Sequence, residues 1–183
     1  MSYDISALKV LIKKIFPPKE SVYTVDFSGD GIADSIVIKA LNVFMPIEIP
    51  EKIEIGGFNS ENFNVQNFNL SEYGKLYLDD NPIDISKVEF EIEKLKDRFL
   101  IYHKGEQFRI DDLIKGKLAG RLIALGDSIE ILIQVDKETI AKFSEGKHKL
   151  SLESELVPKL EFHFELTQKN MNKKLDEVIS YFK

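Results

Sequence analysis

The sequence predicts an antiparallel β-sandwich with an amphipathic helix at each end. Three observations lead there. Helical hydrophobic spacing occurs clearly only near the two ends. Between them the spacing falls to two over many short segments, separated by Gly, Asp, Asn and Pro. Thirteen Phe and six Tyr in 183 residues, with no Trp, supply bulk for a core, and 43% of the chain is hydrophobic. That suits one domain, divided as 1–19 (helix and connector), 20–166 (β-sandwich) and 167–183 (closing helix).

The elements follow in chain order. Residues 4–16 put Ile5, Leu8, Leu11, Ile12, Ile15 and Phe16 on one helical face, with Lys9, Lys13 and Lys14 off it. Pro17-Pro18 ends this helix, because proline lacks an amide hydrogen and disfavours helix at the preceding residue. Val22–Val25 and Ser35–Ile38 then flank an acidic loop as two strands. Further strands are expected at Pro46–Ile55, Lys75–Leu78, Val88–Ile92, Phe99–His103, Phe108–Ile110, Arg121–Leu125, Ile129–Val135, His148–Leu156 and Lys159–Leu166. Asp79-Asp80-Asn81-Pro82, Lys104-Gly105-Glu106 and Gly126-Asp127-Ser128 have turn chemistry, and Asp136–Phe143 suits one or two helical turns. In the last two strands, Leu150 and Leu152 alternate with Lys149, Ser151 and Glu153. Leu160, Phe162, Phe164 and Leu166 likewise alternate with Glu161, His163 and Glu165, so each strand has one wet and one buried face. Met171, Leu175, Val178, Ile179 and Phe182 form the stripe of the closing helix.

Composition narrows the function classes. A net charge of −6 argues against phosphate-backbone binding as the main task, so no nucleic-acid partner is expected. The absence of cysteine removes disulfides, thiolate catalysis and Cys-based zinc sites. Lysines interrupt the apolar residues of the N-terminal segment, and no run reaches the ~18 apolar residues of a membrane span. A cytoplasmic or viral protein without a transmembrane segment is the expectation.

One stretch carries chemistry. Asp26, Ser28, Asp30 and Asp34 place side-chain oxygens at positions one, three, five and nine of a loop, Ile32 offers a carbonyl at seven, and Gly31 occupies six. Calcium takes 6–8 oxygens, and short loops supply them at this alternate spacing. Position twelve is Val37, so the bidentate Glu of an EF-hand is missing. The nine residues resemble the DxDxDGxxD calcium loops between paired strands in FG-GAP repeats. The resemblance implies Asp26, Ser28, Asp30, the Ile32 carbonyl and Asp34 as metal ligands and calcium as the cofactor. Ser28 departs from the usual Asp or Asn, and no blade-length repeat follows. A plain hairpin turn is the competing reading, since Ser-Gly-Asp-Gly is ordinary turn chemistry. The run from Lys142 to Leu150 resembles the loop and penultimate strand of an immunoglobulin-like domain, which implies that arrangement for the sandwich.

Other groupings carry less. Asp79, Asp80 and Asp84 read as a solvated turn. His103, His148 and His163 lack a third zinc ligand, and Glu89, Glu91 and Glu93 suit a solvated strand face. Phe58-Asn59, Phe63-Asn64 and Phe68-Asn69 recur every five residues, too few times to close a solenoid. No GxSxG, HExxH, Walker or GxGxxG pattern occurs. The expected function is a non-enzymatic structural or binding module, stabilised by calcium in the 26–34 loop, with a homo-oligomer or protein partner. The alternative is a carrier holding an apolar small molecule in a Phe-lined sandwich or barrel.

Overall fold

The computed structural model describes residues 5–50, 75–83, 99–109, 112, 116–153 and 159–179. The expected strand Val88–Ile92, the Phe-Asn repeats, Asp84 and Phe182 lie outside them. The chain is mainly β. Helix α1 (Ile5–Ile15) leads into β1 (Val22–Asp26), β2 (Ser35–Leu41), β3 (Ile47–Glu48), β4 (Lys75–Leu78), β5 (Asn81–Ile83), β6 (Phe99–His103), β7 (Glu106–Arg109), β8 (Leu122–Ile123) and β9 (Ser128–Gln134). Helix α2 (Lys137–Ala141), β10 (Gly146–Glu153), β11 (Leu160–Leu166), β12 (Lys173–Lys174) and helix α3 (Leu175–Val178) complete the order. No helix among the described residues is long and apolar enough to cross a membrane.

The strands form a six-stranded sheet in the order β12-β1-β2-β9-β6-β7, a four-stranded sheet β11-β10-β4-β5 and a two-stranded ribbon β3-β8. Among the described residues every pairing is antiparallel except β1 with β12, where Val25 lies beside Lys173 and Asp26 beside Lys174. Two hairpins close through residues in the left-handed region. Lys104 (φ 51°) and Gly105 (φ 76°) join β6 to β7, and Asp79 (φ 50°) and Asp80 (φ 65°) join β4 to β5. Positive φ at both central residues matches the twist of the flanking strands.

Alternation along the strands explains the packing. Val22, Ile36 and Ile133 from one face of the six-stranded sheet join Leu76, Leu78, Leu150, Phe162, Phe164 and Leu166 of the four-stranded sheet in one buried cluster. Phe16, just past α1, stacks on Phe162 with ring centroids 4.2 Å apart. Ile12 and Ile15 pack on the same cluster while Lys13 and Lys14 are exposed, so α1 lies over β2 and β11 as its stripe predicts. The opposite face of the six-stranded sheet carries Val25, Val37, Leu100, Tyr102 and Leu132, and Val178 and Ile179 cover it.

The closing helix is shorter than its stripe predicts. Residues 167–174 form a turn and β12, and α3 spans four residues. The reason is a polar knot. The Asn170 side chain accepts from the Thr167 amide (2.7 Å) and donates to the carbonyls of Val22 (3.1 Å) and Glu165 (2.9 Å). Asn172, at φ 48°, cannot continue a helix, and its amide donates to Thr24 Oγ1 (2.8 Å). The stripe is therefore split, with Met171 packing on the cluster between the sheets and Leu175, Val178 and Ile179 on the one behind.

The rear face also holds a charge pair. Glu130 is 1% exposed and lies 3.6 Å from Lys39 Nζ, its register partner across β2 and β9. Ser128 Oγ donates to the same carboxylate, and Tyr102 is the partner of Glu130 on β6. Removing one member strands the other charge. Lys39→Met should therefore cost about 3–5 kcal/mol in urea unfolding, and Lys39→Met with Glu130→Leu together should cost less than the single change.

Candidate metal loop

The 26–34 loop links β1 to β2, whose register runs from Val22 opposite Ile38 to Val25 opposite Ser35. The Asp34 amide adds one more rung by donating to the Val25 carbonyl at 3.0 Å. Asp26 and Asp34 therefore stand at the two mouths of the loop. Gly29 (φ 79°) and Gly31 (φ 91°) turn it through backbone space that a side chain would strain.

Each carboxylate is directed at the loop's own amides. Asp26 Oδ1 accepts from Gly29 N (2.7 Å) and Asp30 N (3.1 Å), and its Oδ2 from Gly31 N (2.8 Å). Asp34 Oδ1 accepts from Phe27 N (3.0 Å) and Ser35 Oγ (2.8 Å), and its Oδ2 from Ser28 N (2.9 Å). Asp30 Oδ1 accepts from Ile32 N at 2.9 Å, and Ser28 Oγ reaches Asp26 Oδ1 at 3.5 Å. The Ile32 side chain is exposed. Ser28 links two of these carboxylates, its hydroxyl reaching Asp26 and its amide Asp34. Among the described residues, no three acidic or histidine side chains are gathered so as to hold a metal ion. The donors fit calcium in kind, being hard oxygens with spare lone pairs.

The loop is also braced from the C-terminal side. Asn172 Nδ2 donates to the Gly31 carbonyl at 3.1 Å, and Lys174 sits beside Asp26 in the parallel pairing. Electrostatics single out Asp34. Partial burial raises its pKa, but the Phe27 amide, the Ser35 and Ser28 hydroxyls and the Ser28 amide hold the carboxyl below the ordinary aspartate range.

The histidines do not form a metal group. His163 on β11 lies opposite Lys149, whereas His148 on β10 lies opposite Phe164, so neighbouring strands direct the two rings to opposite faces. His103, on β6, is buried and faces Asp127 Oδ2 at 3.4 Å.

Sequence reasoning missed Glu130. Its signal was present: one acid inside the apolar run Ile129–Ile133, and one lysine inside Ile36–Leu41. Burial, then Glu20, then Glu130 push the Tyr23 phenol up, and burial pushes Tyr102 up to about 12. Both phenols therefore keep their protons at neutral pH, and Tyr102 donates to Gln107 Oε1 at 3.0 Å.

No protein-family model matches the chain, and no curated protein is significantly similar to it.

Asp34 has a depressed folded pKa, so its ionised form stabilises the fold above the unfolded value of ~3.9 and the benefit fades as pH falls below that. Asp34→Asn would turn an amide donor toward the loop's own donors. Urea unfolding should show it destabilised at pH 7, with the gap from the parent chain narrowing as pH falls below the ordinary aspartate value of ~3.9.

Proposed function

We propose that this chain is a structural or binding module that works through a protein contact, with a cation supporting the 26–34 loop. The observation that carries this reading is where apolar surface is exposed. Five of the seven large hydrophobic side chains exposed among the described residues are Phe44, Met45, Ile47, Leu122 and Leu125. All five belong to the β3–β8 ribbon or the loops beside it. Solvent-facing apolar groups gathered in this way mark contact surfaces.

The ribbon is rigidly presented. The Asn42 side chain donates to the carbonyls of Ile123 (2.9 Å) and Ala124 (3.1 Å) and accepts from the Phe44 amide (3.0 Å). Asp127 Oδ2 takes the Ala124 amide at 2.8 Å and the Lys104 ammonium at 3.0 Å, tying the ribbon to the β6–β7 turn. A surface held this firmly loses little entropy on binding. The interior supports a contact role over a carrier role, because the Phe16, Phe143, Phe162 and Phe164 rings pack on one another. Two sheets sharing one apolar cluster support a β-sandwich, and the immunoglobulin-like resemblance falls across the loop after α2 and the start of β10.

The cation is the second element of the proposal. Asp26, Ser28, Asp30, Asp34 and the Ile32 carbonyl are the donors that would hold calcium. Binding there would tighten the β1–β2 mouth and, through Asn172, the docking of residues 170–174.

Two measurements test the two elements separately. A second copy of the chain is the first partner to examine, by light scattering over a concentration series. The parent chain should associate, and Met45→Glu with Leu125→Glu should return it to a single 21.0 kDa species. A monomer at high micromolar concentration, with no loss of apolar-dye binding in the double variant, would remove the contact surface. For the loop, calcium at a hundred times its dissociation constant should add about 2.7 kcal/mol, raising the melting temperature until chelator reverses it. An unchanged melt at millimolar calcium, in the parent and in Asp30→Asn alike, leaves the loop a plain hairpin.

A further inference from the structure

We propose that His148 is a proton-dependent tie that bonds Asp79 of the β4–β5 turn and the Ser144 carbonyl at the same time only when its ring is doubly protonated. The geometry of the ring's two nitrogens carries this. Nδ1 lies 2.7 Å from Asp79 Oδ2, and Nε2 lies 2.8 Å from the Ser144 carbonyl oxygen. Both partners are acceptors. A neutral imidazole carries one N–H, so it can donate to one of them while presenting a lone pair to the other. Both bonds are made only by the imidazolium. The His148 side chain is 9% exposed and that of Asp79 44%, so the ring is largely covered while its carboxylate partner faces solvent. The ring also stacks on Phe164 with centroids 5.4 Å apart, and swinging it away would uncover that phenyl.

Asp79 is built to be the counter-charge. Its Oδ1 accepts from the Lys149 amide at 2.8 Å, and its own amide donates to the Lys149 carbonyl at 2.9 Å. Burial works to raise its pKa, but the His148 hydrogen bond, the Lys149 amide and the positive charges of His148 and Lys149 hold the carboxyl below its ordinary range. It therefore remains ionised wherever the ring titrates. Asp79 and Asp80 occupy left-handed backbone space, where non-glycine residues are strained unless their surroundings hold them.

The charges around the ring come from three sides. On β10, Lys147 and Lys149 disfavour a positive ring, but Lys149 Nζ is engaged by Asp80 at 2.6 Å. From the turn, Asp79 and Asp80 favour it. From β11, Glu165 favours it and His163 opposes it when charged. Glu165 is the register partner of Lys147 and lies 4.0 Å from Lys19. Of these groups only Asp79 bonds the ring, so the tie answers mainly to the ring's proton. It forms one wall of a groove of about 470 Å³ whose other walls include Pro18, Lys147, His163 and Glu165.

The sign follows from the two partners. The tie is complete when Asp79 is ionised and the ring is doubly protonated. When the ring keeps a single proton, the N–H that remains can serve the carboxylate or the Ser144 carbonyl but not both. The charged part of the bond to Asp79 is also lost at low pH, when Asp79 takes up a proton.

A double-mutant cycle of His148→Gln and Asp79→Asn, read by urea unfolding at pH 6.0 and pH 8.5, tests the proposal. The coupling between the two positions should be about tenfold in the unfolding equilibrium constant at pH 6.0, the size expected of one charged hydrogen bond, and should be smaller at pH 8.5, where a neutral ring leaves only an ordinary hydrogen bond to the carboxylate. Long-range ¹⁵N NMR of the parent chain at pH 6.0 should show hydrogen on both nitrogens of His148. Equal coupling at the two pH values, or a single protonated nitrogen at pH 6.0, overturns the tie. The NMR measurement decides the matter even if a variant fails to fold.

Discussion

The constraint on which the rest of this structure depends is that its six-stranded sheet is covered on both faces. One face meets the four-stranded sheet and α1, and the other meets Val178 and Ile179. His103 Nδ1 on β6 is buried without a partner among the described residues, but a polar group between two covered faces is costly unless it is matched inside the sheet or across its edge. The row Lys39–Glu130–Tyr102–Gln107 is the result. It runs over four neighbouring strands, and each member lies opposite the next in register. The Asn170 side chain meets the same demand at the sheet's margin. By donating to carbonyls of β1 and β11 it joins two sheets whose shared cluster is apolar.

Local pattern was a good guide where the chain pairs with its immediate neighbour. The β1–β2 hairpin, the helical turn after Asp136 and the β10–β11 alternation were all legible, because each follows from period-two spacing or from turn and cap residues nearby. In β10 and β11 the alternation matches the register, with Leu150 opposite Phe162 and Leu152 opposite Leu160, but Ser151, read on the wet face, is buried. Long-range facts were not legible. Nothing local says that β9 inserts between β2 and β6, or that β12 runs parallel to β1. The helical stripe at 167–183 misled because helical spacing does not report the competing bonds of Asn170 and Asn172. Within the described part of the strand read at Pro46–Ile55, whose residues 51–55 lie outside the described residues, β3 spans two residues, and the strand read at Arg121–Leu125 is realised as the short β8.

The candidate loop shows the same division. Its residue types and spacing were plain, and so was its place between two strands. The direction of each carboxylate was not, because a short acidic side chain can serve a neighbouring amide or an ion equally well. Glu130 went unnoticed for a related reason. A lone acid in an apolar strand looks like an ordinary interruption until its register partner is known, and that partner, Lys39, lies on a strand far back in the chain.

The parallel pairing of β1 with β12 bears on how the molecule comes together in time. Asn170 and its Val22 acceptor are separated by 148 positions. Closing so long a loop is entropically costly and tends to come late in folding. During synthesis, β1 can find β2 as soon as the hairpin emerges, but its other edge stays open until residues 170–174 arrive. An unpaired strand edge held open for that interval is the site at which two nascent chains would misassemble, and where a chaperone would gain most by binding.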